Sequence, residues 1–137
     1  MTIKLGLVGT GTVGGGCLDI LQKHADDFKR HYGVDLELAR VCSRNPEQAI
    51  AHDVEHLFTQ DFNDILNDSD IDVVIELIGG TTVAREVVCG ALRAGKHVIT
   101  ANKALMATAG KEIFELAAHA GRSEEHTSEL QSLGRIS

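Results

Sequence analysis

Short apolar runs alternate with amphipathic stretches along most of the chain, and glycine stands at several of the junctions. Apolar runs bounded by turn residues are typical of buried strands. They predict strands at 3–8, 36–42, 56–60, 72–78 and 96–100. Apolar residues at helical spacing, such as Val13, Cys17, Ile20 and Leu21, predict helices over 12–32, 82–94 and 109–120, with a short helix starting at Pro46 and one helical turn over 63–67.

The strands and helices follow one another in regular alternation, which predicts a parallel sheet covered by helices on both faces. The fold class is therefore α/β, a doubly wound parallel sheet. Such sheets bind ligands beyond the carboxyl ends of their strands, at the point where the strand order reverses. We expect the loops at 9–14, 43–44, 79–82 and 100–103 to share one rim.

Length and composition fit a single globular domain. The 137 residues are 43% hydrophobic and 24% charged, and a net charge of −7 without a basic stripe makes nucleic acid a poor partner. The apolar runs are too short to cross a bilayer and no secretion signal precedes the first strand, so we expect a cytoplasmic protein. The distant cysteines Cys17, Cys42 and Cys89 predict reduced thiols, and no ligand spacing predicts a metal site.

A G-x-G-x-x-G pattern, formed by Gly9, Gly11 and Gly14, lies between the first predicted strand and its helix. This context is typical of a Rossmann-type dinucleotide-binding fold, because the glycines permit a tight turn and the helix N-terminus offers amides to a pyrophosphate. The alternative is a glycine turn without a ligand. Gly15 and Gly16 lower helix propensity, which indicates close packing, close ligand approach or no specific role.

The second predicted strand ends near Arg44, where an NAD-type site has an acid. A guanidinium at this place pairs with a 2′-phosphate, so the expected cofactor is NADP, with NAD also possible. An ordinary solvated arginine is the alternative.

Three further side chains raise the question of chemistry. Glu76 lies inside the fourth predicted strand, where a buried carboxylate needs a partner, and we expect that partner to be structural rather than catalytic. His52 and His56 stand four residues apart but lack a third ligand, so we interpret them as part of a solvated helix face rather than a zinc site.

Three segments, GLVGTGTVGGG, DVVIELIGGTT and GALRAGKHVITANKALMA, together resemble the nucleotide-binding domain of homoserine dehydrogenase over about residues 3–121. The run AGKHVITANKAL is the specific marker, whereas the glycine pattern alone is not. The resemblance implies NAD(P)-dependent interconversion of L-aspartate 4-semialdehyde and L-homoserine in threonine and methionine biosynthesis. It also implies that the intact enzyme is a homo-oligomer.

By position, the resemblance implies a cofactor site built from several loops. The pyrophosphate would be held by Gly9, Thr10, Gly11, Thr12, Val13 and Gly14, the 2′-phosphate by Arg44, and the nicotinamide half by Gly79, Gly80, Thr81, Asn102 and Lys103. Lys103 would also have a catalytic role, stabilising negative charge on the substrate oxygen during hydride transfer.

Family members are expected to continue with a sixth strand and a substrate and dimerisation domain, which carries the general acid/base lysine and which this sequence lacks. Instead, residues 122–132 read RSEEHTSELQS, the translation of a common sequencing-library adapter. A natural polar tail would explain the composition but not this match. We therefore interpret 1–121 as the NAD(P)-binding domain and 122–137 as a non-native or disordered tail, and expect the chain as written to be inactive.

Two other functions stay open at this stage. The chain could be a stand-alone module that senses NAD(P) without chemistry. It could also begin a different oxidoreductase with a similar first domain, such as an aspartate semialdehyde or dihydrodipicolinate enzyme, although the marker segment argues against this.

Overall fold

A computed structural model of the chain describes residues 2–9 and 12–119, with the backbone only at 12, 13 and 28. The strands are β1 (Thr2–Val8), β2 (Asp35–Cys42), β3 (Phe58–Thr59), β4 (Val73–Glu76) and β5 (His97–Thr100). The α-helices are α1 (Thr12–Tyr32), α2 (Glu47–Ala51), α3 (Asn63–Leu66), α4 (Thr82–Arg93) and α5 (Lys103–His119). The predictions for the tail at 122–137 and for a sixth strand after Gly121 lie outside the described residues.

The five strands of the described part form one parallel sheet in the order β3-β2-β1-β4-β5. This confirms the predicted doubly wound α/β fold. The chain first builds outward from β1 to β3 and then returns to place β4 on the other side of β1, so the strand order reverses between β1 and β4. Val8 pairs with both Cys42 and Glu76, and Glu76 pairs with Thr100. The carboxyl ends of four strands therefore lie level along one edge.

The hydrophobic core is divided between the two faces of the sheet. Leu7 packs with the α1 and α2 side, while its neighbour Val8 packs with the α4 and α5 side. The same alternation separates Ile75 from Val74 in β4. Because successive strand residues point to opposite faces and both faces are covered, apolar residues are favoured at consecutive positions of the central strands. This explains the continuous apolar runs of the sequence.

Two element boundaries differ from the prediction by several residues. β4 ends at Glu76 instead of residue 78 because the backbone N–H of Ile78 donates to the carboxylate of Glu76. α5 begins at Lys103 instead of about Ala109 because the side-chain oxygen of Asn102 accepts the N–H of Leu105 and caps the helix. In both places a side chain ends or starts an element by binding the backbone.

The segment around the two spaced histidines was predicted wrongly. α2 ends at Ala51, and His56 lies in a separate 3-10 turn, Glu55–Leu57, so the two histidines do not share a helix. The ring of His52 is only 13% exposed and lies 3.1 Å from a carboxylate oxygen of Asp19. His52 therefore links α2 to α1. The same turn shortens β3 to two residues.

Two ionisable side chains are buried at opposite ends of the β4–β5 pair. Lys96, 5% exposed, donates from Nζ to the carbonyl oxygens of Asp68 and Ile71, at 2.5 and 2.8 Å. Burial lowers the pKa of Lys96. Glu76, 0% exposed, accepts hydrogen bonds from the Thr100 hydroxyl and the Ile78 amide, and burial nevertheless raises the pKa of its carboxyl group. Its partners are thus a hydroxyl and an amide, as a structural role requires.

Among the helices of the described residues, none combines the length and apolar character that a bilayer span needs.

Gly16 offers a test of the helix propensity argument. A Cβ at Gly16 would meet nothing within 4 Å, whereas a Cβ at Gly15 would lie 2.6 Å from the side-chain oxygen of Gln48. We expect Gly16→Ala to raise the free energy of unfolding by about 1 kcal/mol. Gly15→Ala should gain less, because Gln48 must move. Urea denaturation followed by circular dichroism measures both variants, and an equal gain in both would contradict the packing of Gly15 against Gln48.

The raised pKa of Glu76 predicts how stability changes with pH. Between the ordinary carboxyl pKa of 4.5 and the raised pKa, the folded chain holds a proton that the unfolded chain has lost. Stability conferred by this group therefore falls as pH rises through that window. Glu76→Gln cannot ionise, so its unfolding free energy should improve relative to wild type as the pH rises from 4.5 through the raised pKa of Glu76. The exposed Glu86→Gln in α4 is the control. A difference between Glu76→Gln and wild type that does not change with pH would rule this out.

Candidate functional site

A cavity of about 900 Å³ opens at the carboxyl ends of the central strands. It is lined by the end of β1 (Val8, Gly9), the connection into α2 (Cys42, Ser43, Arg44, Asn45, Glu47, Gln48), residues after β3 (Gln60, Phe62) and the loop between β4 and α4 (Leu77, Ile78, Gly79, Gly80, Thr81, Thr82, Val83). The cavity thus lies where the strand order reverses, which is the ligand position expected for this fold.

Gly9 forms part of the cavity wall, and its conformation and close contacts suit no other residue. Its φ is +98°, and a Cβ there would lie 2.9 Å from the carbonyl carbon of Leu77. The N–H of Gly9 donates to the carbonyl of Cys42 at 2.8 Å, which ties the end of β1 to β2. Only glycine combines this left-handed conformation with such close backbone contact.

The remaining residues of the glycine pattern lead from this wall into α1. Thr12 and Val13 are the first two residues of the helix, and Gly14 is buried in its first turn. Thr10 and Gly11 lie outside the described residues. The free amides of the first turn of a helix bind anions. The start of α1 is therefore suited to bind a pyrophosphate.

Arg44 lies at the rim of the cavity, with its side chain exposed. Its backbone is held by side chains on both sides. The carbonyl of Arg44 accepts a hydrogen bond from Gln60 Nε2 at 2.9 Å, and Ser43 Oγ donates to the carbonyl of Asn45 at 2.5 Å. The side-chain oxygen of Asn45 in turn accepts the N–H of Glu47 at 3.2 Å. The loop thus presents a cation to solvent on a fixed backbone.

The loop between β4 and α4 borders the cavity on its other side. Gly79, Gly80 and Thr81 all line it, and Gly80 has a φ of +81°. Asn102 holds this loop from the neighbouring strand end, because its Nδ2 donates to the carbonyls of Ile78 and Gly80 at 3.1 and 2.7 Å. Its side-chain oxygen caps α5. The structure therefore places the amide of Asn102 against the loop rather than among the lining residues.

Lys103 is the first residue of α5 and is exposed. It follows Asn102 directly but is not one of the residues that line the cavity. The predicted catalytic role of Lys103 stays a prediction.

The lining cysteine does not offer nucleophilic chemistry. Burial, with smaller contributions from the carboxylates of Asp61 and Asp64, raises the pKa of the Cys42 thiol to about 11. A thiol in that state is protonated at neutral pH and reacts slowly. Among residues 2–9 and 12–119, no three His, Cys, Asp or Glu side chains are grouped so as to hold a metal ion.

Sequence patterns did not single out several of the polar residues that line the cavity. Gln48 and Gln60 come from separate segments and carry no motif. One signal did exist for Gln48, because the unusual Gly15 in α1 faces its side chain at close range. Phe62 lies just beyond β3 and adds an apolar wall. Only the fold brings these residues together.

Comparison with known proteins gives one consistent family. A family model described as "Homoserine dehydrogenase, NAD binding domain" matches residues 9–126. The homoserine dehydrogenase of Pseudomonas aeruginosa is 43% identical over 119 residues, which are 87% of this chain and 27% of that protein. That of Neisseria gonorrhoeae is 40% identical over 115 residues, 84% of this chain and 26% of that protein.

Solved structures agree with the sequence match. The crystal structure of a homoserine dehydrogenase from Thiobacillus denitrificans has a TM-score of 0.82 and 43% identity, and the match covers 89% of this chain and 28% of that one. The matched region thus makes up less than a third of each relative, and it is the region that bears the cavity. The chain belongs to the homoserine dehydrogenase family and corresponds to its NAD-binding domain.

Proposed function

We propose that the chain binds NADPH in the cavity, as residues 1–121 of an enzyme that interconverts L-aspartate 4-semialdehyde and L-homoserine. The observation that carries this proposal is the placement of Gly9, Arg44 and the Gly79–Gly80 loop around one cavity where the strand order reverses. The family match supplies the reaction.

The residues of the cavity fit a dinucleotide carrying a 2′-phosphate. A volume of about 900 Å³ is within the range of cofactor sites. The bare backbone of Gly9 allows close approach of the pyrophosphate, and the first turn of α1 offers free N–H groups to it. Arg44 provides a cation at the far end of β2, where a 2′-phosphate would lie. The tail at 122–137 takes no part in this proposal.

The bound cofactor supplies hydride transfer. The residues of this chain bind and orient it. In the proposal, Gly79 to Thr81 lie along the nicotinamide half and the first turn of α1 binds the pyrophosphate. Lys103 holds its ammonium at the end of β5, where it stabilises negative charge on the substrate oxygen.

The wider setting of the reaction is also proposed. The enzyme would work in the cytoplasm, in the biosynthesis of threonine and methionine, as a homo-oligomer when intact. NAD would be accepted less well than NADP, since no acid is present at the position of Arg44 to bind free ribose hydroxyls.

Arg44→Ala tests the cofactor preference. Hydrogen bonds to charged groups contribute about 1.5–3 kcal/mol. Loss of the guanidinium should therefore weaken NADPH binding about 10-fold to 100-fold and leave NADH binding unchanged. Binding is measured by titrating the chain against NADPH or NADH fluorescence. Arg93→Ala, which removes an exposed arginine at the end of α4, should change neither affinity.

Two results of this titration would contradict the proposal. One is tighter binding of NADH than of NADPH by the wild-type chain. The other is an unchanged NADPH affinity in Arg44→Ala.

Turnover provides a separate test. We expect the 137 residues on their own to produce no NADPH from homoserine and NADP, because they match only 27% of the length of the Pseudomonas aeruginosa enzyme. Absorbance of the reduced nicotinamide measures turnover, with the homoserine dehydrogenase of Pseudomonas aeruginosa as the positive control. Steady turnover by the purified chain would show that the catalytic groups lie within it.

A further inference from the structure

A closed ring of hydrogen bonds joins the carboxyl ends of β4 and β5. The hydroxyl of Thr100 donates to Glu76 Oε1 at 2.6 Å, and the N–H of Asn102 donates to Thr100 Oγ1 at 3.1 Å. Asn102 Nδ2 donates to the carbonyl of Ile78, whose own N–H donates to Glu76 Oε2 at 2.7 Å. The hydrogen bonds thus connect one oxygen of the Glu76 carboxylate, through Thr100 and Asn102, to the loop after β4, and that loop binds the other oxygen.

Of the two loops joined by this ring, the one between β4 and α4 lines the cavity, and the one between β5 and α5 binds the carbonyls of that lining loop. Ile78 begins the loop that continues through Gly79 and Gly80, and Asn102 also binds the carbonyl of Gly80. Asn102 directly precedes Lys103. The distance between the glycine loop and the start of α5 therefore depends on the ring.

Glu76 itself has no access to a ligand. It is 0% exposed, so it cannot touch a cofactor or substrate. A buried carboxylate opposes folding unless its oxygens are well bonded, and an apolar pair at positions 76 and 100 would avoid this cost. The presence of the Glu76 carboxylate at this buried position therefore indicates a role other than strand pairing.

We propose that Glu76 is a positioning residue that fixes the Gly79–Gly80 loop against Asn102 and Lys103 and so presets the nicotinamide half of the cavity. This inference rests on the proposed binding of NADPH. Carboxylate chemistry suits the task, because its two oxygens accept hydrogen bonds in two directions without donating any. Burial raises the pKa of Glu76, and the bonds from the Thr100 hydroxyl and the Ile78 amide act against the shift.

A substitution at Thr100 breaks the hydrogen-bond ring with the smallest change in side-chain shape. Thr100→Val removes the hydroxyl at nearly constant shape, and Thr100→Ser restores it. The matched control is Lys96→Met at the other end of β5, which removes a buried polar group that binds the carbonyls of Asp68 and Ile71 away from the cavity. This control reproduces a loss of stability without opening the ring.

Two ligands separate positioning from general damage. NADPH would span both halves of the cavity, whereas 2′,5′-ADP would occupy only the half near Arg44. We expect Thr100→Val to weaken NADPH binding roughly 5-fold to 10-fold and to leave 2′,5′-ADP binding within about 2-fold of wild type. Thr100→Ser should restore the NADPH affinity, and Lys96→Met should leave the ratio of the two affinities unchanged. Equal loss of both ligands in Thr100→Val, or no loss of either, would overturn the inference.

Hydrogen exchange of the cofactor-free chain distinguishes failure of this inference from failure of the proposed function. We expect the amides of Ile78 and Asn102, which donate within the ring, to exchange faster in Thr100→Val than in wild type, with amides of α1 unchanged. A wild-type chain that binds neither ligand would overturn the proposed function, and the exchange rates would still decide on the ring. Identical exchange in Thr100→Val and wild type would overturn the positioning role of Glu76.

Discussion

The approach of two backbones at the ends of β1 and β4 is the constraint on which the rest of the site depends. At Gly9, a side chain would lie 2.9 Å from the carbonyl carbon of Leu77, so the chain must turn here without one. The N–H of Leu77 donates to the carbonyl of Val8, and that of Gly9 donates to the carbonyl of Cys42, both at 2.8 Å. These bonds join three strand ends at one point. Since the strand order reverses there, the loops must diverge and leave a cavity between them.

The cavity has two halves that are held by different means. Near Arg44, polar side chains of the loop bind their own or neighbouring backbone, as Gln60 does through the carbonyl of Arg44. This half lies at the surface and presents a cation on an exposed side chain. The other half is held from within the sheet, by Glu76 and Thr100, both 0% exposed. A surface cation suits a mobile, highly charged phosphate. The nicotinamide ring of the proposed cofactor must instead meet a substrate at a fixed distance, and its half of the cavity therefore needs support from the core.

Sequence periodicity was sufficient for the fold and for part of the cavity wall, but not for its details. The apolar runs and the glycine pattern predicted the sheet, and the ends of the predicted strands placed Gly9, Arg44 and Gly79–Thr81 on one rim. The end of β4 and the start of α5 were misplaced because both depend on a side chain that binds the backbone, at Glu76 and Asn102. Periodicity registers where apolar groups recur, and it carries no information about such polar bonds. The same limit explains why the hydrogen bonds of Asn102 to the loop carbonyls were not predicted, while its contact with the cofactor stays a prediction.

The two buried ionisable groups at the ends of β4 and β5 show how one strand pair serves both the fold and the site. At the amino ends, Lys96 binds the carbonyls of Asp68 and Ile71, which are acceptors where the chain turns into β4. At the carboxyl ends, Glu76 binds the Ile78 amide and the Thr100 hydroxyl, which are donors. The groups available at the two ends of this strand pair differ, so a cation suits one end and an anion the other. The anion lies at the end where the cavity opens, and for that reason its hydrogen bonds determine the shape of the site as well as the pairing of the strands.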